Sequence, residues 1–560
     1  MAVLDKYSWI IAIISIAFCA SSFGNGANDV ANSYATSVAA RTLTMPQVGV
    51  LSMFTEFIGA VALGSRVTKT IKNGIIDINR FRATPATLVL AMGCAEVGSA
   101  FWLVLATSLG FPVSTTQTVV GALIGVGFAA QSNIKWAWTK GSVSQVAASW
   151  AIAPAISAVF SAIIFATVKY SVHNRADSMK WALRMIPFYL ALTAAILALF
   201  IIVEIPGTQS LEEFGVGKMC GIILGVFFGC LAIAYTFFLP YFHRRLIKQD
   251  ARLRARHIPL GPLLWKEDPW IYWPAPADGE YVIDYYQNSH AGQNAVAEDL
   301  KKDNSSGGDP ASIEKGPTPA PPAESALACK QHLEPDERFL APYRHLPIYH
   351  PLRLFSFVKW FFLQGVTRDC VSHESDRLAA THARAARYDN RVEHLWTYAQ
   401  VASAMVMSIA HGSNDVANAV GPWVAAYETY RAGVVQTETP TPIWILIIAG
   451  FLLGAGFWFF GFHIIRALGN RITQMSPTRG FSMELGAAVT VLLASRLGLP
   501  VSTTQCLTGA TVGTALMNYD LGAVNWRQLA WIFSGWLLTL PSAGLVSGLL
   551  MLMALNTPHF

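Results

Sequence analysis

Apolar residues gather in long runs toward both ends of the chain. They lie near 7–25, 46–64, 85–108, 112–131, 144–168, 182–204 and 217–241, and again near 396–420, 441–467, 481–498, 500–517 and 526–555. Runs of about 20 residues cross the hydrocarbon of a bilayer as helices. The pattern predicts an all-α polytopic membrane protein of about twelve segments, seven before a polar insert and five after it. The stretches near 85–131 and 481–517 are each broken by a short Gly/Pro elbow. Each reads either as two spans or as one re-entrant helical hairpin, and both readings leave the chain on the same side. The first run follows Lys6 as a signal peptide would. It continues into Gly24-Asn25-Gly26-Ala27-Asn28-Asp29 without a small-residue cleavage pattern, so it is read as a retained span.

Three parts follow: a membrane half over 1–242, a large loop over 243–395, and a second membrane half over 396–560. The centre of the loop, from Lys301 through Pro322, is too polar and Pro-rich to bury a core and is expected to be disordered. Its flanks carry Arg244, Arg245, Lys248, Arg252, Arg254 and Arg256 beside Trp265, Trp270 and Trp273. A basic connection of this kind favours the cytosol. With seven spans before it, the loop holding Lys69, Lys72, Arg80 and Arg82 would then face outside, against the same tendency. Were the insert lumenal instead, Asn304-Ser305-Ser306 would be a glycosylation acceptor. The stretch Phe355–Leu363 is too short to span and reads as a helix lying in the interface or as a packed loop.

Composition agrees with the pattern. Hydrophobic residues make up 53% and charged residues 13%, about half the charged share of a soluble protein. That excludes secreted enzymes, disulfide scaffolds and nucleic-acid binders. Cys19, Cys94, Cys220, Cys230 and Cys506 lie in apolar runs and read as small hydrophobes. No metal cluster, nucleophile–base pair or nucleotide motif suggests an enzyme, and no cofactor is expected.

The chain repeats itself. Gly26-Ala27-Asn28-Asp29-Val30-Ala31-Asn32 returns as Gly412-Ser413-Asn414-Asp415-Val416-Ala417-Asn418, and Pro112-Val113-Ser114-Thr115-Thr116-Gln117 returns unchanged as Pro500–Gln505. Glu96 and Glu484 each stand eighteen residues before the serine of their elbow. Order and spacing are kept over both copies, so the halves are duplicates. An odd number of segments between the copies inverts one relative to the other. Inverted repeats build transporters with one shared site near the midplane.

The repeated residues suggest two kinds of ligand. A carboxylate in a bilayer is costly and marks a cation or proton site. Asp29 and Asp415 therefore read as cation ligands, joined by the amide oxygens of Asn28, Asn32, Asn414 and Asn418, with the glycines turning backbone carbonyls toward the ion. The competing reading is an Asx cap at a helix start. In the elbows, proline and Ser/Thr open a helix whose free N–H groups and positive end suit an anion. Ser114, Thr115, Thr116 and Gln117, with Ser502, Thr503, Thr504 and Gln505, would surround one tetrahedral anion. An anion beside two carboxylates needs cations to neutralise them, which is the basis of symport. Glu56, Glu96 and Glu484 are coupling or supporting candidates. Glu56 has Leu453 in the equivalent place of the second copy; its structural reading is a pairing with a nearby backbone group or Arg66. His411, equivalent to Asn25, reads as a packing or a proton-sensitive residue. Arg496 assists the anion or pairs with Glu484.

The duplicated motifs resemble those of the inorganic phosphate transporter family. Val67–Asp77 and Ser476–Leu485 look closest to its fungal plasma-membrane sodium/phosphate symporters. The resemblance implies import of phosphate with sodium as co-substrate, sodium at Asp29 and Asp415, alternating access, a homodimer and a plasma-membrane location. Departures are Ser413 for the usual alanine and Gln117 for a common histidine. The residues alone leave open proton coupling, sulfate as the anion, or a phosphate sensor whose insert signals.

Overall fold

Twelve apolar segments were expected, and a helix stands at each. The structure, a computed structural model, describes residues 3–64, 68, 71, 74–139, 141–204, 215–268, 282–286, 333–371, 375–436 and 441–557. Arg66, Lys69, Lys72, Trp270, Trp273, Asn304 and the 301–322 segment lie outside them. In chain order the helices of the first half are α1 (Ser8–Asp29), α2 (Ala31–Ala39), α3 (Met45–Leu63), α4 (Pro85–Ser108), α5 (Thr115–Ala129), α6 (Val143–Val168), α7 (Ser178–Glu204) and α8 (Val216–Ile233). The insert contributes α9 (Pro351–Leu363) and α10 (Asp376–Ala383). The second half holds α11 (Asn390–Ala432), α12 (Ile443–Phe460), α13 (Phe462–Leu468), α14 (Pro477–Leu497), α15 (Thr503–Leu516) and α16 (Trp526–Asn556). Among the described residues there is no strand, only an isolated bridge between Ile76 and Ile134.

The helices start and stop on residues suited to it. Pro46, Pro85, Pro351 and Pro477 occupy first turns, where the missing N–H costs nothing. Gly433 and Gly498 close α11 and α14 at φ +71° and +68°, a backbone that residues with a Cβ rarely adopt.

Nine described helical runs are long and apolar enough to cross a bilayer. The other three predicted segments are α5, α11 and α15. At 1.5 Å per residue, α5 and α15 reach about 22 and 21 Å, short of the roughly 30 Å of hydrocarbon, so each is half of a helical hairpin with α4 or α14. Helix α11 is long enough at about 64 Å but polar. It is shielded by other helices rather than by lipid: its motif residues, from His411 through Asn418, are all buried.

Exposure differs from that of a soluble protein. Trp9, Phe54, Leu537 and Leu545 are more than half exposed on the outside of spans, while Ser, Thr, Asn and acidic side chains are buried among an apolar core. Apolar surface faces lipid, and polar groups are kept where other polar groups satisfy them.

The duplication is visible in how the helices touch. A Cβ on Gly26 would overlap the carbonyl oxygen of Leu453, and one on Gly412 would stand 2.6 Å from the carbonyl oxygen of Glu56. Gly121 and Gly125 of α5 lie against Leu540 and Gly544 of α16, and Gly509 and Gly513 of α15 lie against Pro154 and Ala158 of α6. Each elbow helix thus packs on the helix that follows the elbow of the opposite half. Reciprocal pairs of this kind are the mark of a two-fold relation. They also revise one expectation. The motif glycines let helix backbones approach; Gly26 and Gly412 lie inside α1 and α11, so they do not open the chain to turn carbonyls toward an ion.

The insert helix α9 runs a little longer than Phe355–Leu363. Ser356 is its one buried residue, while Leu352, Leu354, Phe355, Phe357 and Phe362 are more than half exposed. It is fastened to the end of α12, where the rings of Phe361 and Phe362 lie 5.6 and 6.3 Å from that of Phe459. Further along, Tyr285 and Tyr286 reach His394 and Glu393 at the start of α11, at 2.8 and 3.0 Å.

Candidate functional site

Neither Asp29 nor Asp415 caps a helix, which removes the Asx-cap reading. Asp29 stands where the first run breaks at Val30 between α1 and α2, and Asp415 lies inside α11. Both are buried and turn toward the elbows. Asp29 Oδ2 accepts from the Thr115 hydroxyl at 2.7 Å and from its N–H at 3.3 Å, and Oδ1 accepts from the Thr504 hydroxyl at 3.0 Å. Asp415 Oδ2 accepts from the Thr503 hydroxyl at 2.9 Å, and its Oδ1 takes the Asn414 amide at 2.6 Å and, more weakly, that of Asn418 at 3.4 Å. Asp29 therefore joins both elbows, one from each half.

The asparagines lace the halves together. Asn32 donates to Thr504 at 2.8 Å, and Asn418 donates to Thr115 and Thr116 at 2.9 and 3.2 Å. The two elbows interlock directly: Thr116 donates to the Val501 carbonyl at 3.1 Å, and the one Thr504 hydroxyl proton is shared between Asp29 and the Val113 carbonyl, each at 3.0 Å. Asn28 acts differently. Its amide group bridges Thr107 and the Phe111 carbonyl, and its oxygen accepts from the Val113 N–H, each at 3.0 Å. It braces the elbow of its own half with both ends engaged. Asn414, its counterpart, donates to the Val501 carbonyl at 2.9 Å.

Ser114 and Ser502 serve as N-caps, accepting from the N–H of Gln117 and Gln505 at 3.2 and 3.3 Å. The elbow serines and the first threonines thus have separable jobs. Ser114→Ala is expected to cost about 1 kcal/mol of stability, as loss of a cap does, visible as a lower thermal unfolding midpoint in detergent. Thr115→Val removes the hydroxyl that Asp29 accepts from; it is expected to impair uptake more than it lowers that midpoint.

Several buried oxygens among these residues accept no hydrogen bond from the described residues: Asn25 Oδ1, Asn32 Oδ1, Asn414 Oδ1, Asn418 Oδ1, Gln117 Oε1 and Gln505 Oε1. Uncharged oxygens left without donors beside two carboxylates fit a hard monovalent cation. Ligand atoms of Asp29, Asp415 and His411 also lie within 4.8 Å of one another. The N-termini of α5 and α15, with their threonines, suit an anion at the same place.

The three glutamates part company. Glu484 Oε1 accepts from Thr36 and Ser37, both at 2.6 Å, and from Gln400 at 3.3 Å, while Oε2 accepts from Ser403 at 2.5 Å. It is held by hydroxyls and an amide, not by Arg496. Glu96 faces Ser21 without a hydrogen bond of ordinary geometry on either oxygen. Glu56 meets His411 Nδ1 at 2.7 Å and the Ser408 hydroxyl at 2.5 Å. The Glu56–His411 pair escaped the sequence reading because 355 residues separate its members. The one available signal was that both break the repeat, standing opposite Leu453 and Asn25.

Known proteins resemble this chain in sequence and fold along its length. The family model described as PHO4, phosphate transporter family, matches residues 25–547. The chain is 38% identical to the phosphate-repressible phosphate permease pho-4 of Neurospora crassa, covering 100% of this chain and 99% of that one. It is 28% identical to the human sodium-dependent phosphate transporter 2, over 98% of each. A solved structure titled "The sodium-dependent phosphate transporter" superposes with a TM-score of 0.65 at 25% identity, covering 98% of this chain and all of the other. A family match across nearly the whole chain, on a duplicated helical scaffold whose motif residues meet at its centre, shows a multi-pass membrane transporter rather than an enzyme, and this chain belongs to the phosphate transporter family.

Proposed function

We propose that the protein is a sodium-coupled symporter that imports inorganic phosphate across the plasma membrane. Phosphate binds between the N-termini of α5 and α15, donated to by the elbow threonines. Sodium binds on Asp29 and Asp415 with the unpaired amide oxygens of Asn32, Asn414 and Asn418, while Asn28 braces the elbow. The two inverted halves open the site alternately to either side.

One observation carries the reading: both carboxylates are hydrogen-bonded to the elbow threonines that would hold the anion. Two negative charges at that distance repel phosphate unless cations come first, so cation and anion occupancy are linked. Lys and Arg are missing from the repeated motifs, so the compensating charge must be carried in. Sodium as that cation, the plasma membrane and a homodimer draw their support from the relatives and the family resemblance.

The proton-coupled alternative draws on His411, which lies between Glu56 and Asp415. Radiolabelled phosphate uptake into proteoliposomes under an inward sodium gradient or an inward proton gradient separates the two. Sodium-driven uptake alone is the expected result. Uptake driven only by protons would keep the anion site and replace the coupling ion. Sulfate in place of phosphate would change the substrate, and no uptake of either would favour a sensor.

A further inference from the structure

The site is nearly two-fold, and one of its departures from two-fold symmetry joins two residues that break the repeat. Where α1 crosses α12, Gly26 meets Leu453; at the matching crossing of α11 with α3, Gly412 meets Glu56. One turn before the aspartate, the first copy carries Asn25 and the second His411. Asn25 donates to the backbone carbonyl of Asp415 at 2.8 Å and does not touch a carboxylate. His411 Nδ1 is hydrogen-bonded to Glu56 Oε2 (2.7 Å), and its Nε2 lies 2.9 Å from Asp415 Oδ2, a close contact off the hydrogen-bond line. All three side chains are fully buried.

Glu56 is itself anchored. Its other oxygen accepts from Ser408 at 2.5 Å, Ser408 lies 2.7 Å from the Thr55 hydroxyl, and Thr55 lies 2.8 Å from the Tyr34 hydroxyl on α2. A ring held at Nδ1 by a fixed carboxylate has its second nitrogen fixed in place against Asp415, as in the outer shells that orient metal ligands. Asp29 has no such backing and is held by threonine groups alone, Thr115 and Thr504.

We infer that Glu56 and His411 are positioning residues that fix the Asp415 carboxylate from behind, so that the two cation-binding carboxylates of this transporter are unequal: one backed by a second buried side-chain pair, the other held by elbow threonine groups alone. The inference rests on the reading that cations bind at these aspartates. It assigns Glu56 an action through His411 and none of its own on the substrate.

The test is the sodium concentration for half-maximal phosphate uptake, with maximal rate measured separately, in proteoliposomes of the full chain. His411→Asn, which installs the residue of the first copy, is expected to raise the half-saturating sodium roughly tenfold, the usual size of an outer-shell loss, with the maximal rate changed much less. Glu56→Leu, the residue at the matching crossing, is expected to give the same shift, and the double variant no more than either single one. Glu56→Gln keeps an oxygen for Nδ1 and is expected to recover most of the affinity; it also serves if Glu56→Leu does not fold. An unchanged sodium dependence in His411→Asn, or shifts that multiply in the double variant, would overturn the inference. Sodium-independent uptake by the wild type would instead sink sodium coupling. The same non-additivity, read on the half-saturating phosphate, would then still decide the positioning role.

Discussion

Asp29→Asn is expected to lower sodium-driven phosphate uptake about 100-fold or more while leaving the protein folded. The carboxylate accepts three hydrogen bonds, from Thr115 and Thr504, and so touches both elbows at once. Asparagine keeps the shape but replaces one charged oxygen by an N–H₂ group, which faces hydroxyls that were donors. The loss of a buried charged partner is worth about 3 kcal/mol, and 1.4 kcal/mol is a factor of ten. The neutral side chain removes the strongest attraction for a cation, and without the cation phosphate meets the remaining charge on Asp415. Uptake into proteoliposomes checks the rate, and an unchanged unfolding midpoint separates a lost site from a lost fold. Near-normal sodium-driven uptake by the variant would remove Asp29 from the coupling site.

Gly26→Ala is expected to be the most damaging of the small substitutions, costing about 3 kcal/mol, near the upper end for overpacking. The added methyl would collide with the carbonyl oxygen of Leu453, and a backbone carbonyl on a packed helix has little room to retreat. The helices α1 and α12 would be pushed apart beside Asn25 and Asn28, so uptake should fall along with stability. Gly221→Ala is the matched control. No heavy atom lies within 4 Å of a Cβ there, on a helix with no buried residue. Alanine is the better helix former by about 1 kcal/mol, so this variant is expected to match or exceed the wild type. Thermal unfolding of both purified variants in the same detergent provides the comparison, and equal midpoints would contradict the close packing at Gly26.

Legibility in the linear chain depended on how local each feature is. Hydrophobic runs report their own burial in lipid, so all twelve segments reappear as helices, including α11, whose polar stretch is shielded by protein. Serine at the head of each elbow could be read as a cap because capping joins residues three apart, as Ser114 does with Gln117. The place of Asp29 was harder. Beside Gly and Asn it resembles the end of an apolar run, yet it is buried, with helix resuming at Ala31 and running to Ala39, because the polar partners it needs are supplied by helices distant in sequence.

By itself the sequence determined the class of fold, the duplication and its inversion, and the two motifs that meet at the centre, since each of these is a pattern of residue types at short or repeated spacing. Only the tertiary structure decided who partners whom. It crossed the halves, setting Thr504 on Asp29 over 475 residues and Asn418 on Thr115 over 303. It gave Glu484 four donors while leaving Glu96 with Ser21, and it placed His411 between Glu56 and Asp415. The physical reason is that a buried polar group must find its partner wherever packing brings one. In a molecule of two intertwined halves, some of those partners, such as Thr504 for Asp29 and Thr115 for Asn418, belong to the other copy of the repeat.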